Sequence, residues 1–184
     1  QRDFGENKVQ ELKEKYEALP KDIVWHFIGH LQRNKVKYLA QFVSLLHAID
    51  SLRLLQEVNK QAQKNDRIIP CLLQFHIAEE DSKFGLDLAE AQALLESDTF
   101  ANMQHIQIAG VMGMATFTDD ERQIRTEFTR LKDIFDRLKA DYFAQDAAFK
   151  ELSLGMSGDY RIAQEVGSTM VRIGTLRFGA RDYS

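Results

Sequence analysis

One cysteine, Cys71, stands among the 184 residues, so no internal disulfide can form, and the chain reads as suited to a reducing compartment, the cytoplasm. Prolines number two and glycines ten, scattered rather than clustered. With no Pro/Gly/Ser-rich linker, residues 1–184 read as one continuous domain. No apolar run approaches the roughly 20 residues needed to cross a bilayer. Neither sign of charge dominates: 24 basic and 28 acidic side chains leave a net charge of −4, well mixed along the chain, which argues against a nucleic-acid footprint. The opening Gln1-Arg2-Asp3 is neither a signal peptide nor a start methionine. What the chain does have is an apolar fraction of 44%, enough to fill a core.

That apolar content falls into short runs and longer amphipathic stretches. Ile23–Ile28, Leu45–Ile49, Ile68–Phe75, Ile106–Met114, Leu152–Leu154 and Met170–Ile173 are apolar without clean alternation, the pattern of strands covered on both faces. Between them, Val9, Leu12, Tyr16 and Leu19 recur at helical steps, as do Leu52, Leu55 and Val58, and Leu88, Ala91, Leu94 and Leu95. The longest stripe is Ile124, Phe128, Leu131, Phe135, Leu138 and Tyr142. Asp50-Ser51 and Thr118-Asp119 offer N-caps, and a short helix starting at Asp159 is expected to stop at Gly167. Counting Arg2–Gly5 as the end of one more strand gives seven strands, each followed by a helix except the last. Such alternation predicts right-handed parallel units. They close either as an open doubly wound sheet or as a (β/α)8 barrel short of its first unit, and the pattern leaves both open.

The loops after the strands carry the polar residues. Asn7, in Phe4-Gly5-Glu6-Asn7, reads either as a helix N-cap or as a side chain pointing across a barrel mouth. His26 and His30 are four apart, but Gly29 separates them, His26 lies in a strand pattern and no third ligand is nearby, which argues against a metal site. Lys83 in Ser82-Lys83-Phe84-Gly85 reads as a solvated loop lysine or as one facing a pocket. Gly155-Met156-Ser157-Gly158-Asp159 joins a strand to a short helix, and Arg172-Ile173-Gly174-Thr175 ends the final strand. In a barrel lacking its leading unit these are the loops after strands 7 and 8, where small residues and free backbone N–H groups commonly bind phosphate. Arg172 is flanked by apolar strand residues and therefore needs an acidic partner or a ligand, since an unpaired buried charge is costly. Cys71, inside an apolar strand, reads as core packing.

The runs Phe4–Asn7, Trp25–Lys35, Ser82–Gly85, Leu154–Ser157, Val171–Thr175 and Phe178–Tyr183 together closely resemble the YggS/PROSC family, the pyridoxal phosphate homeostasis proteins. The resemblance covers nearly the whole chain in order. It implies a barrel like the N-terminal domain of alanine racemase, binding pyridoxal 5′-phosphate (PLP) held by a lysine on the first strand. It also implies a role in buffering and delivering vitamin B6 without dedicated turnover. Carried over by position, Ser157, Gly174 and Thr175 match the phosphate cradle. Arg172 matches an arginine near the pyridine nitrogen, Asn7 lies at the cofactor's other edge, and Met156 packs beside the ring. His26 and Lys35 match motif positions with no cofactor contact assigned.

The chain departs from the family in one respect: the family's lysine lies upstream of the Phe-Gly-Glu-Asn run, and only three residues precede that run here. The expectation is a TIM-type α/β barrel whose first βα unit precedes residue 1, with no lysine of residues 1–184 bonded to the cofactor. The expected partners are PLP and PLP-dependent apoenzymes, with no nucleic acid and no membrane, in a monomer or weak dimer. A PLP-dependent amino-acid racemase is the alternative. It needs proton donors on both faces of the cofactor, and 184 residues leave no room for the second domain that supplies one in alanine racemases. A barrel binding another phosphate ester is a third reading.

Overall fold

The computed structural model describes residues 1–79 and 84–179. Lys83, and the family run from Ala180 to Tyr183, lie outside the described residues. Seven strands form one parallel sheet in sequence order: β1 (Asp3–Glu6), β2 (Val24–Phe27), β3 (Leu45–Ile49), β4 (Ile69–His76), β5 (Ile106–Met114), β6 (Glu151–Met156) and β7 (Met170–Arg172). The helices are α1 (Val9–Ala18), α2 (Leu52–Lys64), α3 (Leu88–Leu95), α4 (Asp98–Ala101), α5 (Glu121–Tyr142), α6 (Tyr160–Val166) and α7 (Thr175–Phe178).

The sheet is curled into a nearly closed barrel rather than laid open. In a flat sheet β3 and β6 would stand roughly 14 Å apart, three strand spacings. Here His47 on β3 and Ser153 on β6 lie within hydrogen-bond distance, 3.1 Å. Of the two closures the pattern allowed, the barrel is the one adopted.

Alternation sorts the strand residues to two sides. Cys71, Leu73 and Phe75 of β4, and Ile108 and Val111 of β5, face the helices and join the main core with Leu55, Val58, Phe128, Leu131 and Leu138. The other side carries a small cluster of Leu45, Ala48, Leu72, Ala109 and Met112, with Met170 against it. The β4–β5 register slips by one residue between Cys71 and Leu72, which leaves Ala109 as the extra residue of β5. Gly110 permits the bulge: its φ is +151°, and a Cβ there would fall 1.8 Å from the Glu151 carbonyl oxygen.

Local details emerge at four loops. After β2 the chain forms a 3₁₀ helix, Arg33–Tyr38, in place of an α-helix, and β7 is followed by α7. The cap of α5 is Asp120, whose carboxylate accepts from Arg122 and Gln123 N–H, while Thr118 accepts instead from Asp120 N–H. Asp159 opens α6, but its carboxylate reaches back to Met156 N–H at 2.6 Å, closing the loop after β6. Ser51 caps α2 and Gly167 ends α6 at φ +100°, as the sequence predicts.

Candidate functional site

Parallel strands bring all their C-terminal ends, and the loops after them, to one rim. Ser157 follows β6, and Gly174 and Thr175 follow β7. The Ser157 hydroxyl oxygen accepts the backbone N–H of Gly174 and of Leu176, each at 3.3 Å. Both contacts are long for N–H···O bonds. A Cβ built at Gly158 or Gly174 would meet nothing within 4 Å, so the space beside both loops is open.

Arg172 at the end of β7 is half-buried, and no carboxylate among the described residues forms an ion pair with it. Its Nη1 donates to the Ser153 carbonyl (3.0 Å) and the Ser153 hydroxyl (2.7 Å), and its Nη2 donates to the Gly113 carbonyl (3.0 Å). Neutral oxygens from β5 and β6 thus hold the cation, an arrangement that sequence reasoning did not consider. Burial pushes its pKa down to about 10, with Asp159 acting the other way, so the charge persists at neutral pH. A guanidinium has five N–H donors, and three hydrogen bonds are made here.

Asn7 is exposed at the end of β1, and the residue that caps α1 is Lys8. The Asn7 backbone is pressed against Gly29 in the loop after β2: a Cβ there would lie 2.2 Å from the Asn7 carbonyl oxygen. Met156 is partly exposed and lines a groove of about 180 Å³ with Phe84, Met114 and Phe117 above the ends of β4, β5 and β6. His30 faces Asp50, with Nδ1 3.4 Å from Oδ2. His26 turns inward to His47, so His26 and His30 have different partners. Lys35 is exposed on the 3₁₀ helix, 5.7 Å from the Tyr38 ring.

Sequence reading missed the polar interior behind Arg172. His26 Nδ1 lies 3.1 Å from His47 Nε2, and His47 Nδ1 lies 3.1 Å from Ser153 Oγ. Burial holds the His47 imidazole well below its ordinary pKa, with Arg172 and His26 adding to the effect. Burial also lowers that of His26, opposed by Asp3 and Glu151. The available signal was a histidine inside the apolar run Leu45–Ile49, the same anomaly that marked Arg172.

The parallel barrel with this rim defines a class: the family model described as "Alanine racemase, N-terminal domain" matches residues 1–182. The pyridoxal phosphate homeostasis protein of Aquifex aeolicus is 39% identical over 181 residues, spanning 98% of this chain and 77% of that protein. The mouse protein of the same name is 40% identical over 195 residues, 100% of this chain and 70% of its own length. The chain belongs to the family of pyridoxal phosphate homeostasis proteins. Among solved structures, PipY of Synechococcus elongatus without PLP superposes with a TM-score of 0.89 at 31% identity, covering 97% of this chain and 82% of PipY. The PLP-bound form of PipY gives 0.83 over the same shares. No described helix is long and apolar enough to cross a membrane.

Proposed function

We propose that residues 1–184 act as one barrel domain that binds pyridoxal 5′-phosphate at its C-terminal rim. In this reading the protein is a cytoplasmic carrier that holds the cofactor and releases it to PLP-dependent apoenzymes, with no dedicated turnover. The observation that carries the reading is the convergence of Gly174 and Leu176 N–H on Ser157 Oγ, beside a cation fixed at Arg172.

The residues fit the group. Small loops with open space beside Gly158 and Gly174 admit a phosphate, and the two long N–H contacts exchange readily for its oxygens. Ser157 and Thr175 add hydroxyl donors. Met156 with the apolar groove would cover a ring face, and Asn7, exposed after β1, would meet the other edge. Bound there, the cofactor supplies an aldehyde that condenses reversibly with amines and an electron-withdrawing ring. A cation at Arg172 near the ring nitrogen would disfavour its protonation and leave the ring a weaker electron sink. That suits holding the cofactor better than transamination. The homeostasis name borne by relatives 39% and 40% identical to this chain supports the same conclusion.

The test is an absorbance titration with PLP, run beside an alanine racemisation assay. Saturable binding, weakened about tenfold by Ser157→Ala, the scale of one hydrogen bond to a charged group, is expected. Steady racemisation by the wild-type protein would overturn the carrier reading, and absence of binding would overturn the site.

A further inference from the structure

The interior chain behind Arg172 has charges of opposite sign at its two ends. Arg172 is at one end, on β7. At the other, Asp3 Oδ1 on β1 lies 3.6 Å from His26 Nε2, too far for a direct hydrogen bond but facing it. Between them run Ser153, His47 and His26, all buried.

We infer that these charges impose a single direction of hydrogen bonding across the barrel interior, and that His26, His47 and Ser153 form a positioning network for Arg172. A guanidinium only donates, so Ser153 Oγ must accept from Arg172. The Ser153 hydroxyl proton then has His47 Nδ1 as its acceptor. With Nδ1 accepting, the His47 proton sits on Nε2 and is donated to His26 Nδ1. The His26 proton therefore also sits on Nε2, turned toward the Asp3 carboxylate. Every buried polar atom from Arg172 to His26 Nδ1 along the path is satisfied, and each donor points from the cation toward the anion.

The opposite direction fails at both ends. His47 Nδ1–H aimed at Ser153 would leave the serine proton without an acceptor among the described residues, inside a fully buried site. A bare His26 Nε2 would set a lone pair against the Asp3 carboxylate. Protonating both nitrogens of His47 would set a donor against Ser153 and a cation near Arg172. Both rings are therefore neutral and carry their protons on Nε2.

The functional consequence, which rests on the PLP reading above, is that the network fixes the guanidinium that would meet the bound cofactor. His47→Leu cuts the chain, whereas His47→Gln preserves its direction, since the amide oxygen accepts from Ser153 and the amide nitrogen donates to His26.

Two measurements on the intact protein test this. The first is a long-range ¹H–¹⁵N spectrum of the histidine-labelled, PLP-free protein. His26 and His47 are expected as Nε2–H tautomers, and the double variant Arg172→Met with Asp3→Asn, which removes both directing charges, is expected to bring in the Nδ1–H form of His47. A wild-type Nδ1–H tautomer at His47, or a double-variant spectrum with only the wild-type tautomers, overturns the network. The second is the visible absorption and affinity of bound PLP. His47→Leu should shift the band and weaken binding about tenfold, the scale of one charge-assisted hydrogen bond, with His47→Gln near wild type. Unchanged PLP binding in His47→Leu overturns the positioning role. A wild-type protein that takes up no PLP overturns the functional reading instead, and the tautomer spectrum then decides the network alone.

Discussion

The Glu127 carboxylate on α5 accepts both the backbone N–H and the hydroxyl of Thr116, each at 2.7 Å. It also accepts Glu79 N–H at 3.2 Å and Gln123 Nε2–H at 3.1 Å. One buried side chain therefore ties the loops after β4 and β5, which border the Met156 groove, to the longest helix. Burial alone would raise its pKa, but the hydrogen bonds from Thr116, Gln123 and Glu79 outweigh it and lower the value below the usual 4.5. Glu127→Ala should cost about 2–4 kcal/mol in urea denaturation, because it orphans several donors at once. The sign of the pH effect follows from the depressed value: the contribution is full above 4.5 and is lost as pH falls through the folded-state value. An Ala variant as stable as wild type at neutral pH would show that the clamp contributes nothing.

The two interior histidines predict a separate and earlier acid transition. Both are held below the ordinary imidazole value of 6.5, so below that pH the unfolded state binds more protons than the folded one. Their contribution is complete above 6.5 and declines as pH drops from there toward the depressed folded-state values. Urea midpoints measured across this range should fall with pH in the wild type and fall less steeply in His47→Gln. Equal slopes would mean that His47 titrates normally.

Two glycines at the rim should respond in opposite ways to the same substitution. A methyl at Gly29 would lie 2.2 Å from the Asn7 carbonyl oxygen, so the backbone of one loop must move. Gly29→Ala should cost about 1–3 kcal/mol and displace Asn7, weakening PLP binding with every phosphate donor intact. At Gly158 nothing lies within 4 Å, so Gly158→Ala should melt like the wild type while filling the room left for the phosphate. Thermal melts beside PLP titrations separate the two. Normal melting of Gly29→Ala, or normal PLP affinity in Gly158→Ala, would contradict the corresponding half.

The strands and α1, α2, α3 and α5 were legible because each buries its apolar residues with one period. Arg33–Tyr38 was not, because its length and residues do not distinguish a 3₁₀ helix from a helix start. Arg172 was legible as an anomaly, but its partners were not: backbone carbonyls of Gly113 and Ser153 leave no trace in side-chain identity. The His47–Ser153 contact joins residues 106 positions apart, and only barrel closure brings them together. Glu127 was hidden for the reverse reason, since one more acidic residue on a charged helix resembles a solvated face.

Arg172→Lys separates charge from shape. Lysine keeps the cation but offers one compact ammonium in place of a planar fork. It cannot reproduce the fork that reaches both the Ser153 oxygens and the Gly113 carbonyl, on opposite sides of the guanidinium. If position matters as well as charge, the variant should bind PLP about tenfold more weakly than wild type, as expected for one lost charge-assisted bond. Its bound cofactor should also absorb at a shifted wavelength, because the cation no longer faces the same ring atom. Arg172→Met should bind more weakly still, having lost both. Equal affinities for the arginine and lysine proteins would reduce Arg172 to a diffuse positive charge, and equal affinities for all three would remove it from the site.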